Sequence, residues 1–425
     1  MNVVLGKEKL IYCAPINENT SQWGVYSIPR MWRLPNGNLG IMINGMVDSP
    51  DAQENVCPDL YYVSEDNGIT WRASDEIEVD KSVCSGVDSP FLRMPNGNVI
   101  CIREKSNRAQ VSGIVKEKEF FTPDHLGKCC TYLQKHATEE MFACELWTYN
   151  ATGKLLCKED VAIDFPRREL IVQSEMLYGE EYKDIPSYFH STLCCSPYIS
   201  SLTLLPDGTL LGTCSGQNPK VTDRYCAEVY LMESKDGGKT WKKRSLITKN
   251  SENYAFGLVG DGGECSLTRA KNGDLLLVTR TDMSHDHPKM GGKSDAYLFV
   301  SKDDGYTWTE EQSVSDSSVT PHVLALKGDI IVVIYGRPGV HMIVSLNGGK
   351  TFGSPISIIG KTLQEELAEG KSYMEAKYYD MRSYSNSFVE KISDNSFLVL
   401  YTDMKYDIGD GKAHKATLVR EVSIV

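Results

Sequence analysis

The sequence predicts an all-β chain, a six-bladed β-propeller of four-stranded antiparallel blades, on three observations. One turn motif recurs four times, a second hairpin signal recurs six times, and the two keep a near-constant spacing. The motif Ser-x-Asp-x-Gly-x-Thr-Trp occupies residues 64–71, 234–241 and 301–308, and returns at 345–352 with Asn347 for the aspartate and Phe352 for the tryptophan. It describes a tight turn: the Asp or Asn oxygen accepts hydrogen bonds from turn amides, the glycine permits a positive φ, and the aromatic ring anchors the next strand. The second signal sets turn residues between apolar stretches, as in Leu34-Pro-Asn-Gly37, Met94-Pro-Asn-Gly97, Leu205-Pro-Asp-Gly208 and Ala270-Lys-Asn-Gly273, and again around Gly328 and Asn395. Asn-Gly or Asp-Gly in that setting is a hairpin.

In chain order, the first blade joins the hairpin at Gly37 to the turn at Gly68, 31 residues on. The third joins Gly208 to Gly238 after 30 residues and the fourth joins Gly273 to Gly305 after 32. Two successive hairpins make four strands. The fifth shortens the interval to 21 residues, from Gly328 to Gly349. The second blade starts at Gly97 and has lost the motif, with 147–153 as the remnant of its outer hairpin. The sixth turns near Asn395 and again at Gly409-Asp410-Gly411.

Gly97 and Gly208 lie 111 residues apart, against 60, 65 and 55 for the other hairpin glycines. The excess is assigned to insertions near 105–138 and 160–196, expected as loops on a rigid scaffold, where substrate selection usually resides. Weak helical character is read at 363–369. Residues 1–425 are expected to form a single domain, because repeated units bury their faces against one another and escape the size limit of a single core.

Composition narrows the function. A net charge of −12 and a pI near 5.3 argue against nucleic acid or an anionic membrane surface as partner. No apolar run approaches the roughly 18 residues that span a bilayer. Residues 1–15 hold Lys7 and Lys9 but no apolar stretch of the kind that directs export, so the expected location is cytoplasmic. The 13 cysteines are odd in number and show no Cys-x-x-Cys spacing; they are read as reduced, buried small hydrophobes. His285-x-His287 is the nearest approach to a metal-ligand spacing, and neither a metal nor a cofactor is expected.

The four aspartate boxes on a six-blade repeat resemble the sialidase (neuraminidase) superfamily, from about Tyr26 to the C-terminus. The box itself speaks for fold and not for chemistry. The resemblance implies an exo-acting glycoside hydrolase that removes a terminal acidic sugar, sialic acid first, from a small glycan or glycoconjugate. In that family three arginines hold the substrate carboxylate, a tyrosine attacks the anomeric carbon with help from a glutamate, and an aspartate protonates the leaving oxygen. Arginine presents a planar fork that matches a carboxylate. A neutral tyrosine approaches a carboxylate-bearing carbon without the repulsion that an anionic nucleophile would meet.

Carried onto this sequence, the hairpin from Gly263 to Arg280 resembles the family's glutamate-to-arginine hairpin, so Glu264 is the implied general base and Arg280 a carboxylate clamp. Tyr384, in Ser383-Tyr384-Ser385, is the implied nucleophile. Arg337, in Gly336-Arg337-Pro338-Gly339, takes the place of the third arginine. The first blade departs from the family, with Tyr26-Ser27-Ile28-Pro29 where Arg-Ile-Pro is usual. Arg30 is the candidate substitute, although strand alternation turns it to the opposite side. One clamp arm lost removes about 1.5–3 kcal/mol, roughly a 10- to 150-fold weaker grip on a carboxylate. Asp51 is the candidate acid and Asp48 a neighbouring candidate contact. Asp88 and Arg103 repeat the acid-then-arginine layout. Two other functions remain open at this point: a different sugar handled by hydrolysis or elimination, and a propeller that binds glycan or protein without turnover.

Overall fold

A computed structural model describes residues 2–22, 24–47, 56–75, 90–104, 116–121, 128–133, 144–164, 169–173, 199–217, 227–248, 255–256, 264–282, 295–372 and 387–425. Its described residues are mostly β, with two short helices. Strands β1 (Val3–Leu5) and β2 (Lys9–Cys13) precede the four-residue helix α1 (Glu18–Ser21). An antiparallel sheet follows from β3 (Pro29–Arg33), β4 (Leu39–Ile43), β5 (Leu60–Ser64) and β6 (Arg72–Ser74), in that order. Next come β7 (Leu92–Arg93), β8 (Val99–Glu104), β9 (Lys116–Phe121), β10 (Lys128–Leu133), β11 (Cys144–Tyr149), β12 (Leu155–Asp164) and β13 (Glu169–Gln173). Of these, β7-β8-β11-β12 form one antiparallel run, while β9, β10 and β13 pair separately as a three-stranded sheet. The insertions expected as loops therefore carry strands of their own.

The pattern then repeats with β14 (Ser200–Leu204), β15 (Leu210–Gln217), β16 (Ala227–Ser234) and β17 (Thr240–Leu246). After β18 (Ala255–Phe256), an edge piece on its neighbour, come β19 (Cys265–Arg269), β20 (Leu275–Asp282), β21 (Ala296–Ser301) and β22 (Gln312–Ser315). A further sheet holds β23 (Val319–Ala325), β24 (Ile331–Gly336), β25 (Val340–Ser345) and β26 (Ile356–Ile359). Helix α2 (Leu363–Ala368), where the sequence suggested one, leads on to β27 (Phe388–Lys391), β28 (Ser396–Tyr406) and β29 (His414–Ile424). The fourth position of this last sheet is taken by the start of the chain: β1 and β2 both pair antiparallel with β29. One contact departs from the antiparallel pattern. The end of β12 pairs parallel with β17, through Ala162 with Thr240 and Asp164 with Lys242.

Apolar layers fill the space between successive sheets. Trp32 and Val63 meet Cys101 and Tyr149; Ile102 and Leu146 meet Leu210 and Trp241; Leu231 meets Leu277 and Phe299. Further on, Leu276 and Leu298 meet Val333 and Ile343, and Ile334 and Met342 meet Phe397 and Leu418. A last layer sets Leu398 and Leu400 against Met31 and Ile41, so the succession of sheets closes on itself.

The repeated turn is also the seam between sheets. In the first copy Ser64 Oγ donates to Asp66 at 2.8 Å and accepts from the Gly68 amide at 2.7 Å, while the Thr70 amide and hydroxyl donate to the two Asp66 oxygens at 2.8 and 2.6 Å. The copies at Asp236 and Asp303 keep these bonds to the same turn positions, and the copy at Asn347 keeps the serine and amide bonds while its Nδ2 donates to the Thr351 hydroxyl. Each turn rests on a leucine of the preceding sheet. At Gly305, whose φ is +90°, an added Cβ would lie 2.2 Å from Leu231 Cδ2, so only glycine lets the backbone come this close.

The Thr70 hydroxyl and amide hold the Asp66 carboxyl down to about 2. A folded value below the ordinary carboxylate range gives stabilisation that is complete above that range and fades as pH falls toward the folded value. Asn347 shows that an amide supports the same turn. Asp66→Asn is therefore expected to keep the wild-type fold at neutral pH and to flatten the stability loss between about pH 4 and 2, measured as denaturant midpoints across that range. An unchanged acid slope would count against this account.

Candidate active site

In each antiparallel run the hairpins joining first to second and third to fourth strands lie at one end. The connections from second to third, and out of the fourth, lie at the other. Glu264 immediately precedes β19, Arg280 lies in the last half of β20, Thr320 is the second residue of β23, and Arg337 directly follows β24. All four fall at that second end, away from the Ser-x-Asp turns.

The Glu264 carboxylate is fixed through one oxygen. Its Oε2 accepts from Arg280 Nη1 at 2.9 Å and from the Thr320 amide at 2.7 Å, with the carboxylate 18% and the guanidinium 11% exposed. The Arg280 amide donates to the Glu264 carbonyl at 3.1 Å, closing the end of the β19–β20 pair. Glu264 Oε1 has no hydrogen-bond partner among the described residues. Thr320 turns its amide across the seam because its φ is +42°, at an irregularity in the β23–β24 register. Ser317 Oγ donates to the Arg337 carbonyl, so the stretch 317–320 carries both the Glu264–Arg280 pair and the Arg337 loop.

Polar bonds of this kind tie the first strands of neighbouring sheets together. Ser201 Oγ donates to the Cys265 carbonyl at 3.1 Å, the Val323 amide donates to Ser266 Oγ at 3.1 Å, and His322 Nε2 lies 2.6 Å from the Ser387 carbonyl. Thr402 Oγ1 donates to the Ser27 carbonyl at 3.3 Å, where the last sheet meets the first.

Of the residues singled out in the sequence, Glu264, Arg280 and Arg337 are thus brought to one region. Ser27 is fully buried. Arg30 sits in β3 opposite Met42, half-buried, on the same side of its strand as Trp32. Arg103 is buried and lies with its guanidinium 3.8 Å from the centre of the Trp147 ring, whose neighbours include Lys158 Nζ at 3.6 Å. That stacking gives Arg103 a packing role. Tyr384, Asp51, Asp48 and Asp88 lie outside the described residues.

Beside Arg337, a cavity of about 260 Å³ lies under α2. Asp316, Tyr335, Arg337, His341, Gln364 and Glu365 contribute its polar lining. His341 Nε2 lies 2.8 Å from the Pro338 carbonyl and 3.1 Å from that of Lys361. Burial pushes the imidazole pKa down. Burial and the nearby Asp316 push the Tyr335 phenol up to about 12. Sequence reasoning missed the Thr320 amide and, although it named Arg337 and the acidic helix at 363–369, did not bring them together as one pocket.

Among the described residues no group of His, Cys, Asp and Glu is arranged to hold a metal ion, and no helix is long and apolar enough to cross a membrane. Residues 201–372 match the family model described as a BNR repeat-like domain. No curated protein matches the chain. Among solved structures it is similar to a protein of unknown function from Dyadobacter fermentans DSM 18053, at 15% identity over 100% of this chain and 99% of that one, with a TM-score of 0.57. It is also similar to the Penicillium chrysogenum alpha-L-arabinanase complexed with arabinobiose, at 12% identity over 98% of both chains and a TM-score of 0.51. The NanB sialidase from Streptococcus pneumoniae aligns at 14% identity over 98% of this chain and 70% of that one, with a TM-score of 0.44.

Proposed function

We propose that the chain is a six-bladed propeller enzyme, an exo-acting glycoside hydrolase that removes a terminal acidic sugar, sialic acid first, with retention at the anomeric carbon. The observation that carries this reading is the Glu264 carboxylate. One oxygen is locked by Arg280 and the Thr320 amide, and the other has no hydrogen-bond partner among the described residues. In the proposed reaction Glu264 takes the Tyr384 phenol proton as the phenolic oxygen bonds to the anomeric carbon. The glycosidic C–O bond breaks and Asp51 gives its proton to the leaving oxygen. Water, deprotonated by Asp51, then displaces the tyrosine, which recovers its proton from Glu264. Arg280 and Arg337 orient the sugar carboxylate, with Arg30 and Asp48 as further contacts. The BNR repeat-like match and the shared fold support the scaffold; the roles rest on the resemblance and on the pairing just described.

A second reading keeps the scaffold and changes the sugar. It is favoured by buried Ser27 at the first arginine's place and by the commitment of Arg280 to Glu264, both of which weaken a carboxylate clamp. The arabinanase of similar fold is complexed with a neutral arabinose disaccharide. A panel of aryl glycosides separates the two. Release of aryl sialoside supports the acidic-sugar reading, release of an aryl arabinoside or uronide in its place supports the second, and glycan binding without turnover of any substrate overturns both.

A further inference from the structure

We propose that His414 is a pH-sensitive clasp on the seam where the last sheet meets the first, shut while its imidazole carries two protons and released when one is lost. The inference stands apart from the glycosidase reading. His414 opens β29, in register with Tyr406 of β28, and is 7% exposed. Its Nδ1 lies 3.1 Å from the Ala14 carbonyl and its Nε2 lies 3.0 Å from Asp410 Oδ2. A carbonyl only accepts, and so does an ionised carboxylate. The Asp410 carboxyl is held below its usual range by His414 and by the Lys412 amide, which donates to its other oxygen at 3.0 Å. A neutral imidazole has one N–H and would turn a lone pair on one of these two oxygens. Only the imidazolium donates to both.

The two acceptors belong to different pieces of chain. Ala14 directly follows β2, where the chain leaves the last sheet for α1 and β3, and Asp410 lies in the connection between β28 and β29. The Ala14 amide donates to the Lys415 carbonyl at 2.8 Å, and its side chain packs in the apolar layer of Val25, Met31 and Leu400 that closes the succession of sheets. The ring therefore fixes a corner of that closure. Charge around it is mixed. Asp410 and then the Ala14 carbonyl hold the imidazole pKa above its ordinary value, against burial and the Lys412 cation. The Cys13 thiol, next to Ala14, is pushed up by burial and by Asp410, so it adds no charge near neutrality. Lys415 Nζ donates to the Gln22 and Val25 carbonyls at 2.7 and 3.0 Å, and burial pushes its pKa down to about 8. The two cations act with opposite signs. For His414 the folded value is raised, so its stabilisation is complete below the unfolded value, about 6.5, and is lost as pH rises through the folded value. For Lys415 the unfolded chain keeps its proton longer, so its contribution grows as pH rises above about 8. Loosening near neutrality is thus assigned to His414.

The test is amide hydrogen exchange of the full chain, corrected for the intrinsic effect of pH, at Ala14, with Leu277 of β20 as a distant control. Between about pH 6 and about pH 8.5 the protection of the Ala14 amide is expected to fall roughly two- to fivefold, the range for a partly exposed ion pair, without a matching fall at Leu277. His414→Gln, which carries no charge and one donor group, is expected to exchange at the released level across the whole range. Asp410→Ser is expected to keep the fall and move it to lower pH, because the ring loses its counter-charge. NMR titration of the His414 ring is the second readout: the wild-type ring titrates above the ordinary histidine value, and the ring in Asp410→Ser titrates below the wild-type one. The clasp is overturned by Ala14 protection that is equal at both pH values, by an equal fall at Leu277 or in His414→Gln, or by a wild-type ring that titrates at or below the ordinary value. Thermal unfolding confirms that each variant is folded, and if His414→Gln is not, wild-type exchange and the ring titration decide alone.

Discussion

Glu264→Gln is expected to lower release of the preferred aryl glycoside by about 100- to 10,000-fold, the range contributed by a positioned acid or base, and Tyr384→Phe, which removes the proposed nucleophile, by at least as much. Tyr384→Phe removes only the proposed nucleophilic oxygen, and its thermal midpoint is expected to stay at the wild-type value. Glu264→Gln is different. The Gln carbonyl still accepts from the Thr320 amide, but Arg280 loses its counter-charge in a setting where both groups are mostly buried. A loss of about 1–3 kcal/mol is expected from that change alone. Turnover that survives both substitutions would end the proposed mechanism. A collapse of stability in Glu264→Gln with turnover per folded molecule unchanged would leave Glu264 as a bracing residue.

Deleting residues 2–13 is expected to cost about 5 kcal/mol or more, at the far end of what local changes do to a folded chain. These residues supply the fourth strand of the last sheet, from Val3 opposite Ile424 to Cys13 opposite Ala416. They also fasten it. Glu8 accepts from the Tyr401 hydroxyl at 2.5 Å and pairs with Arg420 at 3.0 Å, while Lys9 Nζ donates to the carbonyls of Gly68 and Ile69 in the first sheet's turn. Without them β29 becomes an open edge and the phenol of buried Tyr401 loses its acceptor. The readouts are the denaturant midpoint and concentration-dependent association. A truncated chain as stable and as monodisperse as the full one would refute this account of closure.

How much of this was legible in the sequence depends on whether the deciding contact is local. The turns at Asp66, Asp236 and Asp303 bond within five residues of chain, so their motif announces them. The hairpins at Gly37 and Gly273 are local in the same way. The small sheet of β9, β10 and β13 was not legible, because β13 pairs with a strand some forty residues earlier and no turn motif marks the partnership. The pairing of β1 and β2 with β29 spans nearly the whole chain. At the candidate site, Glu264 and Arg280 belong to one hairpin and could be read together. Thr320 could not: its contribution is a backbone amide, aimed by a positive φ that its side chain does not signal. The orientation of His341 likewise depends on two carbonyls, which leave no mark in residue type.

The parallel stitch between Ala162–Asp164 and Thr240–Lys242 has a mechanical consequence. It welds two neighbouring units along their rims, so that they tilt as one plate. Any relative motion of the sheets is then concentrated at seams that, among the described residues, lack such a weld. The Glu264–Thr320 bond crosses one of these, which puts the proposed proton acceptor on a joint whose opening would part its carboxylate from the Thr320 amide.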